Sequence, residues 1–212
     1  MDLIHSLAQA YSERFTSAED ELVQQVAVAT QASHPHAHML SGPVQGKFLE
    51  LISCMMQPNR ILEIGTFTGY SALCLAKGLL KHGKMHTIEL READAAVARA
   101  NFNRSNEAGK IILHTGNALE IIPALEETWD IVYIDADKVS YTEYYKLVLP
   151  KVRQGGIIIA DNVLFHGEVL ADTIKGKNAK GIQAFNEYVQ QDNSVEKVLL
   201  TVRDGLFLIR KK

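Results

Sequence analysis

Trp129-Asp130-Ile131-Val132-Tyr133-Ile134-Asp135-Ala136-Asp137-Lys138 and Gly155-Gly156-Ile157-Ile158-Ile159-Ala160-Asp161-Asn162 decide how this chain folds. Each is an apolar, β-branched run that ends in acid or amide side chains. Read as neighbouring parallel strands, they bring Asp135, Asp161 and Asn162 to the carboxyl edge of one sheet, where open α/β sheets bind ligands. Two carboxylates and an amide oxygen, with no thiolate, suit a hard cation: Mg²⁺ first, with Mn²⁺ or Ca²⁺ as alternatives. Lys138 follows Asp135 at a spacing that sets an ammonium beside the same point. A metal and a lysine together can deprotonate a hydroxyl. The competing reading is turn or helix capping, which Asp and Asn perform widely; two such clusters with Lys138 beside them favour the metal.

Outward from these strands the pattern repeats. RILEI, KMHTIEL and KIILHT are further short apolar runs, separated by helical periodicity at Gly69 to Lys81, Arg91 to Glu107, Ala118 to Leu125 and Ser140 to Leu149. Alternation of strand and helix predicts a parallel sheet covered on both faces. At the end, Val195 to Val202 and Leu206 to Arg210 flank Arg203-Asp204-Gly205, a hairpin signal that adds an antiparallel strand. The expected fold is α/β: a doubly wound, mostly parallel, seven-stranded sheet with an antiparallel C-terminal hairpin. Helices precede it. Asp2 to Phe15 is one amphipathic segment, Ser17 with Asp20 resembles a capping box opening a second through Ala32, and Pro43 opens a third through about Met56. No repeat or linker divides the chain, so 1–212 reads as a single domain, with 1–57 as added helices and loop and 58–212 as the α/β core.

The length suits one domain with a sizeable core. The formal net charge of −3 gives no general attraction to nucleic acid or anionic membrane. No stretch is long and apolar enough to span a bilayer, and MDLIHSLAQAYSERF lacks the basic region of a signal peptide, so a soluble cytoplasmic protein is expected. Cys54 and Cys74 fall within helical segments and read as two reduced, buried thiols.

The first core strand ends in Glu63-Ile64-Gly65-Thr66-Phe67-Thr68-Gly69-Tyr70-Ser71. Glycines at a strand-to-helix turn let backbone approach a ligand, or simply make a tight turn. The spacing G-x-x-x-G differs from the dinucleotide pattern and points to a smaller zwitterionic or nucleoside ligand rather than a pyrophosphate. Glu89 ends the second strand roughly 20 residues on, where an acid accepts ribose hydroxyls; the alternative is a solvated carboxylate at a helix N-terminus. Gly116-Asn117-Ala118 ends the third, either reading adenine or capping a helix through Asn117. Three successive strand ends with nucleoside-compatible groups are more specific than any one. Asp137 either touches the nucleoside or caps the next helix.

His34, His36 and His38 form an H-x-H-x-H run. Pro35 interrupts it and no fourth ligand is apparent, so a mobile loop over the cofactor is preferred to a metal site. His166 either lines the substrate pocket or lies on the surface. Tyr141, Tyr144 and Tyr145 fall at helical spacing and read as packing.

Together these residues resemble the cation-dependent O-methyltransferases that include caffeoyl-CoA and catechol O-methyltransferases. The resemblance runs from about Met39 to the C-terminus. It rests on EIGTFTGYS, Glu89, Gly116-x-Ala118, IDADK followed by Tyr141, ADNVLFHG and the VRDGL hairpin. It implies a Rossmann-like methyltransferase fold and S-adenosylmethionine as donor. Glu63, Gly65, Phe67, Tyr70, Ser71, Met39 and Ser41 would hold the methionine part, Glu89 the ribose, and Gly116 and Ala118 the adenine, with Asp135 and Asp137 adjoining the cofactor. Asp135, Asp161 and Asn162 would hold the divalent ion and Lys138 would be the general base. The family is typically dimeric, so a homodimer is expected. The implied acceptor is a small aromatic vicinal diol. A hydroxylated tRNA nucleoside, met by Lys175, Lys177 and Lys180, is the alternative acceptor, and a non-catalytic cofactor- or metal-sensing protein the alternative class.

Overall fold

The computed structural model describes residues 3–212; Asp2, the expected start of the first helix, lies outside them. Five parallel strands, β1 (Arg60–Ile64), β2 (Lys84–Glu89), β3 (Ile111–Thr115), β4 (Trp129–Ile134) and β5 (Val152–Asp161), join β6 (Val195–Leu200) and β7 (Leu206–Lys211) in one sheet ordered β3-β2-β1-β4-β5-β7-β6. β4 and β5 are parallel neighbours, pairing Ile134 with Ala160. β7 inserts antiparallel between β5 and β6. The chain leaves β1 toward β2 and β3, then returns to the other side of β1 as β4. The β1/β4 junction is therefore the topological switch point, where a crevice opens beyond the carboxyl ends of the strands.

Strand alternation sorts the core into two layers. Ile61, Ile131, Tyr133, Ile157 and Ile159 face α2 (Glu21–Ser33), α3 (Pro43–Met56), α4 (Tyr70–Ala76) and α5 (Glu92–Phe102). Leu62, Ile64, Val132, Ile134, Ile158 and Ala160 face α6 (Ala118–Ala124), α7 (Tyr141–Val148) and α8 (Lys177–Gln191). Central strands are buried on both faces, which is why β4 is apolar almost throughout.

The structure departs from expectation in four places. The second helix opens at Glu21 with Asp20 as its cap, accepting from the Leu22 N–H at 3.0 Å; an acid that is itself the cap leaves Ser17 no role in a capping box. α8 has no counterpart in the sequence reading. Cys54 is exposed while Cys74 is buried, because the inward stripe of α3 is Gln45, Gly46, Leu49 and Ser53 and Cys54 lies one step beyond it. α1 (Ser6–Arg14) buries no residue. Among the described residues no helix is long and apolar enough to cross a membrane.

Candidate active site

A cavity of about 1100 Å³ occupies the switch-point crevice, slightly above the usual size for a small-molecule site, about 300–1,000 Å³. Its walls are the glycine turn after β1, Glu89, the Gly116–Ala118 turn, Asp135 to Lys138, Asn162, and the 37–43 segment ahead of α3.

The turn after β1 is shaped from both sides. Gly65 has φ 98°, and a Cβ there would collide with the carbonyl oxygen of Asp135; its close approach is to the β4 turn as well as to the cavity. Phe67, at φ 51°, gives its N–H to Glu89 Oε2 at 2.7 Å. The other oxygen of Glu89 takes the Arg91 N–H at 2.9 Å. Glu89 is thus a buried carboxylate lining the cavity and bracing two turns, not a solvated one.

Glu63 stands one layer back. It is fully buried and absent from the cavity wall, accepting from Ser71 Oγ at 2.6 Å and Thr87 Oγ1 at 2.5 Å. Burial pushes its carboxyl up to about 8, against those two hydrogen bonds and with help from Asp135 and Glu89. Ser71 reaches the cavity; Glu63 sets its hydroxyl. Tyr70 lines the wall and donates to Glu19. Met39, Ser41, Gly116 and Ala118 all line the cavity, and Asn117 caps α6 through the Leu119 N–H. Asp137 is exposed and accepts from Ser140 Oγ at 2.5 Å, so it secures the turn that carries Lys138.

Lys138 is the hub of the opposite wall. Its Nζ donates to Asp135 Oδ1, Asn162 Oδ1 and Tyr141 OH, each at 2.8 Å. Tyr141 OH in turn donates to the Asp161 carbonyl at 3.0 Å. Asn162 adopts φ 56°, a left-handed bend that turns its amide back toward the β4 end. Burial opposes the charge on Lys138, but Asp135 and Tyr141 beside it prevail and hold its pKa well above the usual lysine range.

Asp161 is close by but turned inward. As the last residue of β5 it shares the face of Ile157 and Ile159, so it meets α3. Gln45 Nε2 and Tyr133 OH donate to Oδ2 at 2.5 and 2.8 Å, and the Asn162 N–H to Oδ1 at 2.7 Å. Burial raises its carboxyl to about 6, with Asp135 adding to the rise and Lys138 opposing it. Of the three expected metal ligands the structure brings Asp135 and Asn162 onto one point and sets Asp161 behind it. No three His, Cys, Asp or Glu side chains among the described residues crowd one point; the third member of this set is an amide oxygen. All its donors are hard oxygens, and the Asp135 carboxylate makes ionisation of Asp161 costlier, so the set fits a divalent cation in chemistry.

Gln45 and Tyr133 were not legible as site residues. Gln45 is fully buried on the inward face of α3 beside Gly46, Leu49 and Ser53, a mixed stripe that gives no local signal for a site residue. The histidine run is engaged otherwise than in metal binding: His34 Nδ1 accepts the His36 N–H at 3.1 Å and its Nε2 lies 3.0 Å from Asp94 Oδ1. Its ring stands edge-on to Phe67, and Ala37 to Met39 close over the cavity. His166 lines the mouth, with its backbone N–H on Asp204 Oδ1 at 2.6 Å. Tyr141 and Tyr145 pack edge-on against Phe185, although Tyr141 also serves the site.

A family model described as O-methyltransferase matches residues 13–212. The chain belongs to the O-methyltransferase family. Within it, the chain is 38% identical over 162 residues to a catechol O-methyltransferase of Niastella koreensis, covering 74% of this chain and 73% of that one. It is 32% identical over 207 residues to a probable caffeoyl-CoA O-methyltransferase of Dictyostelium discoideum, covering 95% and 88%. The O-methyltransferase of Bacillus cereus, solved in complex with SAH, superposes with a TM-score of 0.86 at 32% identity, covering 96% of each chain. In an O-methyltransferase the acceptor oxygen must lose its proton.

Proposed function

We propose that this O-methyltransferase moves the methyl group of S-adenosylmethionine to one hydroxyl of a small aromatic vicinal diol, in the presence of a divalent cation, Mg²⁺ foremost. The observation that carries the reading is the convergence of Asp135 Oδ1, Asn162 Oδ1 and Tyr141 OH on Lys138 Nζ at 2.8 Å. It supports a site built to handle positive charge and one proton.

The donor lies along Gly65, Phe67, Ser71, Glu89, Gly116 and Ala118, in a cavity with room for an acceptor beside it. Glu89 faces the ribose, and Ser71, oriented by Glu63, faces the amino-acid end. Asp135, Asp161 and Asn162 would hold the cation, which supplies Lewis-acid stabilisation of an acceptor oxyanion. A phenol has a pKa of about 10 and is mostly neutral at pH 7, so a base is needed. Lys138 takes the hydroxyl proton on Nζ after its own ammonium proton has passed to solvent, a loss that becomes favourable once Asp135 and Asn162 no longer accept its hydrogen bonds. Tyr141 keeps Nζ in place from the rear. Met39 to Ser41 shield the reacting atoms from water, and much of the rate comes from alignment. The exposed stripe of Leu7 and Tyr11 on α1, continued by Phe15 at its C-terminal cap, supports a homodimer.

The test is methyl transfer to catechol with labelled donor, with Mg²⁺ or excess chelator. Transfer that requires the metal supports the whole reading. Equal transfer in both conditions removes the cation, and no transfer in either, with a hydroxylated tRNA accepted instead, replaces the acceptor.

A further inference from the structure

Three Lys or Arg side chains among the described residues line the cavity, and two of them are ion-paired: Arg91 to Asp94 at 2.6 Å and Lys138 to Asp135 at 2.8 Å. Among the described residues, Arg203 has no carboxylate within 4.0 Å. Its one side-chain hydrogen bond among the described residues is long, from Nη1 to Gln45 Oε1 at 3.4 Å. A half-buried guanidinium offers five N–H donors in a rigid fork, and leaving them without an anion is costly.

The chain holds it that way. Arg203 sits in the left-handed region at φ 48°, a conformation a non-glycine residue adopts at some cost. Its neighbour Asp204 offers no charge partner: Oδ1 takes the His166 N–H at 2.6 Å and Oδ2 lies 3.7 Å from His166 Nδ1. Arg203 instead stands over the Gly42 entry to α3, beside Gln45. Through Gln45 it is one side chain from Asp161, and so borders the place assigned to the acceptor oxygens.

We infer that Arg203 is a carboxylate-binding residue of this cavity, so that the enzyme handles an acidic ligand through a charge-assisted pair at this guanidinium. The inference rests on the proposed function for its site. Two ligands could bring the carboxylate: an aromatic acid acceptor, which would make the substrate class dihydroxyaryl acids, or the amino-acid end of the methyl donor.

The experiment compares two acceptors that share the diol and differ by the acid, 3,4-dihydroxybenzoate and catechol, together with calorimetric titration of S-adenosylmethionine and of both acceptors, using Mg²⁺-loaded protein. Wild type is set beside Arg203→Gln and Arg203→Gly; glycine accepts φ 48° without strain, so that variant folds even if the other does not. An acid acceptor as the source lowers the ratio of kcat/KM for the benzoate over catechol about tenfold in both variants, the loss of one charge-assisted hydrogen bond. The donor as the source weakens donor binding about tenfold and lowers both acceptors alike. Neither the ratio nor the donor Kd moving more than about twofold overturns the inference. If wild type methylates neither diol, the proposed function fails, and the titrations still decide Arg203: equal affinity of wild type and variants for the benzoate and for the donor overturns it.

Discussion

Lys138 is half-buried and Glu63 fully buried, and their states are settled in opposite senses, the first by neighbouring charge and the second chiefly by burial. Lys138 keeps its proton because Asp135 and Tyr141 outweigh burial. Lys138→Met, close in length and uncharged, is expected to lower kcat by about 10²–10⁴ while the donor Kd stays within about twofold; single-turnover kinetics and calorimetry check both, and an undiminished kcat removes Lys138 as base. Glu63 is the reverse case. Its carboxyl rises from 4.5 to about 8 chiefly through burial. A raised folded-state pKa means stability present below about 4.5 and lost as pH rises through about 8. Glu63→Gln keeps the shape, and the hydroxyls of Ser71 and Thr87 can rotate to accept from the amide. The melting temperature of the variant minus that of wild type should therefore grow from pH 5 to pH 8 and level off above. A difference that is flat with pH would mean Glu63 is ionised in the fold.

At the scale of elements, α8 is set against the turn that carries Lys138. Gly181 is the point of contact: a Cβ there would stand 2.7 Å from the Lys138 carbonyl oxygen and 2.9 Å from Val139 Cα. Alanine in a helix interior normally gains about 1 kcal/mol over glycine, but here overpacking costs about 1–3 kcal/mol. Gly181→Ala should lose stability in urea and lower kcat, while Gly109→Ala, where a Cβ meets nothing within 4 Å, should be near neutral. A stabilised, fully active Gly181→Ala would show that α8 does not set the Lys138 turn. The same helix marks the boundary of what was legible. The strands, their mostly parallel sheet and the antiparallel end followed from apolar runs and a hairpin, and the acids and amides at the strand ends stood out because β-branched runs stop there. α8 carried its signal in Ala179, Ile182, Phe185 and Val189, all buried at helical spacing, yet the two glycines and three lysines of 175–181 obscure its start. Gln45 and the inward turn of Asp161 depend on which face of the sheet α3 covers, a long-range fact that no local pattern encodes.

Across the whole molecule, the doubly wound topology gathers acids from four strand ends at one edge, and they burden each other: Asp135 raises both Glu63 and Asp161, and Glu89 adds to Glu63. A cation bound at such an edge, as proposed, would stabilise it, and the gain would have a definite pH dependence. Asp161 is raised from 3.8 to about 6, so below about pH 6 it holds a proton that a metal must displace, and above it the carboxylate is ready. Ligand at about a hundredfold its Kd contributes about 2.7 kcal/mol to stability, and at roughly 2–4 °C per kcal/mol for a chain of this size the melting temperature should rise by several degrees with Mg²⁺ at pH 8. The rise should shrink at pH 5, and Asp135→Asn should remove it at both. Scanning calorimetry of wild type and variant at the two pH values, each with Mg²⁺ and with chelator, reads this without any turnover. An equal rise at both pH values, or one that survives in Asp135→Asn, would place the ion elsewhere on the surface and return Asp161 to a purely structural role beneath Gln45 and Tyr133.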